Sequence, residues 1–250
     1  MDTQRRRYRA KTLADNSRLT SGQSTPSGST VTAAISGSPL PLTSISDDLL
    51  SASAINAIRQ RQYEWALHLL NHLIQRHPDE ANYYSNRGLL HLWKKNYDAA
   101  LNDCDYAIEL EPNLDQAYNN RANCYAALGL TVKALVDYER AVDLNPFNSR
   151  ARINLGITLR SLGDLEAALN CFDEALLFYK LSAFIYVERG RTYHLRGDWN
   201  CAIADYRRAQ ASINENTATP QEQRVLQRVQ GWMEELVPNP AKNNPTGSRE

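Results

Sequence analysis

The chain of 250 residues lacks a surplus of either charge, with 28 basic side chains against 28 acidic ones. That balance argues against a globally basic nucleic-acid binder. No uninterrupted apolar run approaches the roughly 18 residues that a membrane-spanning helix needs. No apolar stretch follows the N-terminal arginines either, so neither a bilayer span nor a secretory signal is expected. Cysteine is scarce: Cys104, Cys124, Cys171 and Cys201 form no CxxC pair, and no N-x-S/T sequon occurs. A reducing, cytoplasmic compartment is expected on that pattern. The GxSxG, Walker-type and HExxH signatures are also missing. The sequence therefore predicts a non-enzyme with no catalytic residues, no cofactor, no metal centre and no small-molecule substrate.

What charge there is lies unevenly. Residues 1–46 carry six basic and two acidic side chains, among them Arg5, Arg6, Arg7 and Arg9, while 47–216 carry 18 basic and 22 acidic ones. The first segment is also rich in Ser, Thr, Gly and Pro. It cannot bury enough apolar surface to offset a backbone ordering cost of roughly 1–2 kcal/mol per residue. A disordered basic tail is expected over 1–46, and a second disordered tail over 238–250.

Between the tails a period of 34 residues dominates. Ala66, Ala100, Ala134, Ala168 and Ala202 repeat at that spacing without insertion. Leu70, Cys104, Tyr138, Phe172 and Tyr206 hold it four positions later, and Leu73, Ala107, Ala141, Ala175 and Ala209 seven positions later. Upstream, the small residues Ala54, Gly88, Ala122, Gly156 and Gly190 keep the same step. Pro78, Pro112 and Pro146 close the first three units, where the fourth and fifth have Lys180 and Asn214. Each unit holds two apolar stripes at helical spacing, such as Tyr118, Ala122, Tyr125 and then Ala134, Tyr138, Ala141. One unit cannot cover its own apolar face, so units must stack and the array needs a cap.

This pattern resembles the tetratricopeptide repeat (TPR). The resemblance implies an all-α fold, a right-handed solenoid of five helix-turn-helix units over 47–80, 81–114, 115–148, 149–182 and 183–216. A capping helix is expected over 217–237, because Thr219-Pro220-Gln221-Glu222 reads as a capping box with proline at the first helical position. Val225, Leu226, Val229, Trp232, Met233 and Leu236 follow at helical spacing. Eleven helices are expected in all.

The resemblance also implies a function: a protein or peptide partner held in a concave groove lined by the first helices. Asn86, Asn120 and Asn154 repeat at the sixth position, although Asn in a helix interior costs roughly 0.5 kcal/mol against Ala. A carboxamide can pair with a peptide backbone irrespective of side chain, and the column resembles the asparagine ladder of TPR superhelices that hold extended peptides. Asn82, Asn119 and Asn123 would widen the strip. Arg150, Arg160, Arg191 and His194 fall on predicted groove positions and would favour carboxylates, with Trp93 and Phe184 as apolar footholds. The lysine and asparagine pattern of chaperone-tail clamps is not matched. An assembly scaffold for a folded partner is the competing reading, while nucleic acid is not an expected partner. His68 and His72, four residues apart, read as a solvated face rather than a metal site, His91 as half-buried packing, and the cysteines as small buried hydrophobes.

Overall fold

A computed structural model describes residues 42–178, 183–213 and 218–236. The expected tails, apart from residues 42–46, lie outside the described residues, as do Lys180 and Asn214. Every regular element among the described residues is helical, and two compact units divide the chain at Leu73 and Ile74.

In the first unit a 3-10 turn at Leu42–Ser44 precedes α1 (Asp47–Arg59), and α2 (Tyr63–Arg76) follows and runs to the division and just past it. Asp47 and Asp48 stand in the first turn of α1, where carboxylates complement the positive helix end. Leu50, Ala54 and Ala57 of α1 and Ala66, Leu69 and Leu70 of α2 are buried. His68 is exposed and stacks on Trp65, with ring centroids 5.5 Å apart. Its neighbour His72 is half-buried.

The second unit holds α3 (Ala81–Trp93), α4 (Tyr97–Leu110), α5 (Asp115–Ala127), α6 (Thr131–Leu144), α7 (Ser149–Ser161), α8 (Leu165–Phe178), α9 (Ala183–Arg196), α10 (Trp199–Ser212) and α11 (Pro220–Leu236). With α1 and α2 this makes eleven α-helices among the described residues. Each odd-numbered helix from α3 to α9 packs on the even-numbered helix after it, and neighbouring pairs stack in chain order.

The turns inside the pairs share one backbone solution. Arg61, Lys95, Gly129, Gly163 and Gly197 all have positive φ, at 59°, 61°, 74°, 90° and 90°, again 34 residues apart. Around Gly129, its N–H donates to the Ala126 carbonyl at 3.1 Å and the Leu130 N–H to the Tyr125 carbonyl at 2.8 Å. That crossed pair satisfies the last carbonyls of α5 and stops it.

The small eighth position sets how closely paired helices approach. A Cβ on Gly156 would meet Phe172 Cζ at 2.9 Å and Cys171 Cβ at 3.2 Å, and one on Gly190 would meet Tyr206 at 2.9 Å. At the loops, the prolines offer their carbonyls as anchors. Tyr84 and Tyr118 donate their hydroxyls to the carbonyls of Pro78 and Pro112, and Arg152 Nη2 donates to that of Pro146.

Helix α11 covers the end of the second unit as the sequence implies. Val229 is fully buried against Val187, Ala202, Tyr206 and Ala209, with Val225, Trp232, Met233 and Leu236 packed alongside. The capping box forms. Glu222 N–H donates to Thr219 Oγ1 at 3.3 Å, and Thr219 N–H returns to Glu222 Oε2 at 2.8 Å. These bonds hold the Glu222 carboxyl below its ordinary pKa.

Candidate functional site

The first helices of the second unit, α3, α5, α7 and α9, carry the side chains expected to meet a partner. Four of the six asparagines named from the sequence come together, but they face one another, while Asn82 donates to Glu80 Oε1 at the start of α3. Asn120, on α5, is buried and donates Nδ2 to the Ser85 carbonyl and hydroxyl of α3, both at 3.1 Å. Asn119, also buried, donates to Asn120 Oδ1 at 3.5 Å. Asn154, on α7, donates to Asn123 Oδ1 at 3.1 Å and to Asn119 Oδ1 at 3.4 Å. Asn123 also accepts the Tyr138 hydroxyl at 2.7 Å. The result is a polar seam joining α3, α5 and α7. Asn86 stays outside it and is half-buried.

The cations separate in the same way. Arg160 is engaged: Nη1 donates to the Glu188 carbonyl at 2.8 Å and Nη2 to its carboxylate at 2.6 Å. This ties α7 to α9. Arg150 is exposed at the start of α7. Arg191 and His194 meet each other, with 3.2 Å between Arg191 Nη1 and His194 Nδ1. Burial first, and then the Arg191 charge, lower the His194 pKa against the smaller opposing pull of Glu235. The imidazole is therefore a neutral support beside Arg191. Trp93 is 45% exposed and Phe184 48%, as footholds need to be.

A column that sequence reasoning missed ties first helices to second helices. Arg87, Arg121 and Arg189, at the seventh position, each form a bidentate pair with an aspartate 16 residues on: Asp103, Asp137 and Asp205. Arg121 also reaches Asp105 at 2.8 Å and Arg189 reaches Asp173 at 2.5 Å, so each bridges two second helices. The fourth repeat has Leu155 and Cys171 at these two addresses, buried in one cluster. The signal was available as two columns of opposite charge at a step of 34.

Cys104, Cys124 and Cys171 are buried, in keeping with their reading as small hydrophobes, whereas Cys201 is exposed and corrects it. The neighbouring Cys124 thiol, together with burial, pushes the Cys104 thiol up. Among the described residues no group of three or more His, Cys, Asp or Glu could hold a metal ion. None of the described helices is long and apolar enough to cross a membrane.

Models of the tetratricopeptide repeat match residues 81–114, 116–148 and 137–170. This stretch is built of tetratricopeptide repeats. Its fold is similar to that of TTC0263, a thermophilic TPR protein of Thermus thermophilus, at 17% identity and a TM-score of 0.63. That match covers 75% of this chain and 99% of the other. It is also similar to MamA from Desulfovibrio magneticus RS-1, residues 41 to the end, at 17% identity and a TM-score of 0.56, over 66% of this chain and 94% of the other. A further MamA crystal structure matches at 15% identity and a TM-score of 0.54, over 64% and 93% of the two chains. At these identities the likeness is one of fold. No curated protein matches the sequence. A TPR fold is a protein–protein interaction module, and the function of this chain is of that coarse class.

Proposed function

We propose that the face of the first helices in the second unit receives an extended segment of a partner protein. The observation that carries the reading is the exposed aromatic and cationic side chains on three of the four first helices: Trp93 on α3, Arg150 on α7 and Phe184 on α9. Aromatic and arginine side chains are the usual anchors of protein interfaces. Asn86 and Arg150 offer hydrogen bonds, and Arg191 with His194 lies on the same helix as Phe184. Asn119, Asn120, Asn123 and Asn154 shape the floor of this face through their mutual bonds, and Arg160 does so through Glu188. The four cysteines are free thiols, which suits a reducing, cytoplasmic compartment.

The test is affinity capture with mass spectrometry, comparing wild type with the Asn86→Ala/Arg150→Ala/Phe184→Ala protein. Loss of a specific partner is expected with an unchanged melting temperature, because none of the three side chains is buried. Undiminished capture refutes the groove reading.

A scaffold role toward a folded partner has one observation of its own. Leu128, Leu130, Val132 and Val136 form an exposed apolar group around the turn into α6, with Val132 66% exposed. Capture lost in Val132→Glu/Val136→Glu, and kept in the triple variant, selects that reading.

A further inference from the structure

The arginines of the first helices are, with few exceptions, neutralised. Arg87, Arg121, Arg152, Arg160, Arg189 and Arg196 each have a carboxylate within ion-pair distance. Arg191 differs. Its guanidinium lies over the indole of Trp232, 4.9 Å from the ring centroid, and Arg228 of α11 lies over the same indole at 4.8 Å. Neither guanidinium has a carboxylate within ion-pair distance among the described residues. The nearest acidic contact of the cluster runs instead from Glu235 to His194, at 3.9 Å.

Two like charges are thus held on one aromatic ring with no counter-charge of their own. The ring is held as well: Trp232 stacks on Tyr206 with centroids 5.6 Å apart, and Tyr206 is fully buried. Stacking fixes the indole, and the indole fixes both guanidiniums by cation–π attraction. Arg228 is exposed and Arg191 half-exposed, so the N–H groups other than the Arg191 Nη1 that meets His194 stay available. Fixed guanidinium forks are the groups that recognise a planar carboxylate.

We propose that Arg191, Arg228 and Trp232 form a subsite for an acidic side chain of the partner peptide, so that the capping helix reads sequence as well as covering the repeat array. The proposal rests on the peptide-binding reading above and places its acidic selectivity at the C-terminal end of the second unit. Arg224, also exposed on α11, is not among the guanidiniums that lie over Trp232 and stands outside the subsite.

The probe is an oligoglutamate amidated at its C-terminus, titrated against the full chain while the Trp232 indole N–H signal is followed by NMR. An oligoglutamine with a free C-terminus runs in parallel. The amidated oligoglutamate is expected to shift that signal, more weakly as salt is raised. Arg191→Gln/Arg228→Gln should weaken binding about tenfold or more, as loss of charge-assisted bonds does. Arg224→Gln should retain it, with all variants melting as wild type. Three results overturn the subsite: a shift only with the free-ended oligoglutamine, equal weakening by Arg224→Gln, or no weakening in the double variant. None of them depends on the captured partner, so a failed subsite and a failed groove are told apart.

Discussion

Replacing Arg121 and Asp137 together, by Leu and Cys, should leave the second unit nearly as stable as before, although either change alone should not. The fourth repeat already uses Leu155 and Cys171 at these addresses, both buried. In the third repeat the pair is bidentate, at 2.7 and 2.8 Å, with the side chains of Arg121 and Asp137 21% and 7% exposed. Removing one partner of a buried ion pair costs about 3–5 kcal/mol, because the other charge is left behind in a poor solvent. Asp137→Cys alone leaves Arg121 with Asp105, whose side chain is 48% exposed. That remaining partner lowers the expected cost to about 2 kcal/mol. Arg121→Leu alone strands the more deeply buried carboxylate and should cost about 3 kcal/mol. It also removes the cation–π contacts to Tyr118 and Tyr125, at 5.5 and 6.0 Å.

The double change removes both charges and their desolvation cost, and puts apolar groups into a partly apolar site. A net loss within about 1 kcal/mol is expected. Urea unfolding gives the three stabilities. Hydrogen exchange in α5 and α6 localises them, since repeat arrays open by neighbouring units. A double variant as unstable as the two singles summed, with no coupling between the sites, refutes the reasoning.

Two further predictions come from the backbone and from the histidines. Lys95 adopts φ 61° where three later repeats have Gly, so Lys95→Gly should raise stability by about 1 kcal/mol, read as a higher urea midpoint. The pKa values of His91 and His194 are both lowered, by burial before any other cause. The unfolded chain therefore binds protons more readily, and their contribution to stability is present above the ordinary histidine pKa. It should be lost as pH falls from about 6.5 through the lower folded values. A His91→Gln/His194→Gln protein should show a flatter slope in that window, and an unchanged slope counts against the argument.

The fold was readable because its causes are local and periodic. Ala66, Ala100, Ala134, Ala168 and Ala202 mark close helix packing, the prolines mark the loops, and Thr219 with Glu222 marks the start of α11. Each of these needs only its own register to be recognised. The site was less readable, because register gives the face of a helix and not what the neighbouring helix brings within reach. Asn86 and Asn120 share an address, yet Asn120 has Ser85 of α3 opposite it and is held there. Asn154 likewise meets Asn119 and Asn123, at the fifth and ninth positions of the preceding first helix. Arg160 found Glu188, a residue no pattern had singled out. A polar side chain at a repeated address can serve a ligand or the adjacent repeat, and the residue one repeat away decides which.

The same exchange limits where selectivity can lie. Along α3, α5 and α7 the seam between first helices is built of neutral amides whose donors meet acceptors of the same chain. Where the seam reaches α9, the sixth position is Glu188, and Arg160 neutralises it. The middle of the face is therefore electrically quiet. A peptide lying there gains contact area and a few backbone hydrogen bonds, each with a net value of about 0.5–1.5 kcal/mol, and little that depends on its charge. Unpaired positive charge lies at Arg150 and at the Arg191–Trp232–Arg228 cluster. In the binding mode proposed above, discrimination between an acidic and a neutral segment comes from those points. The cluster is the better placed of the two, since stacking on Trp232 has already fixed its guanidiniums, and less side-chain entropy remains to be lost when a carboxylate arrives.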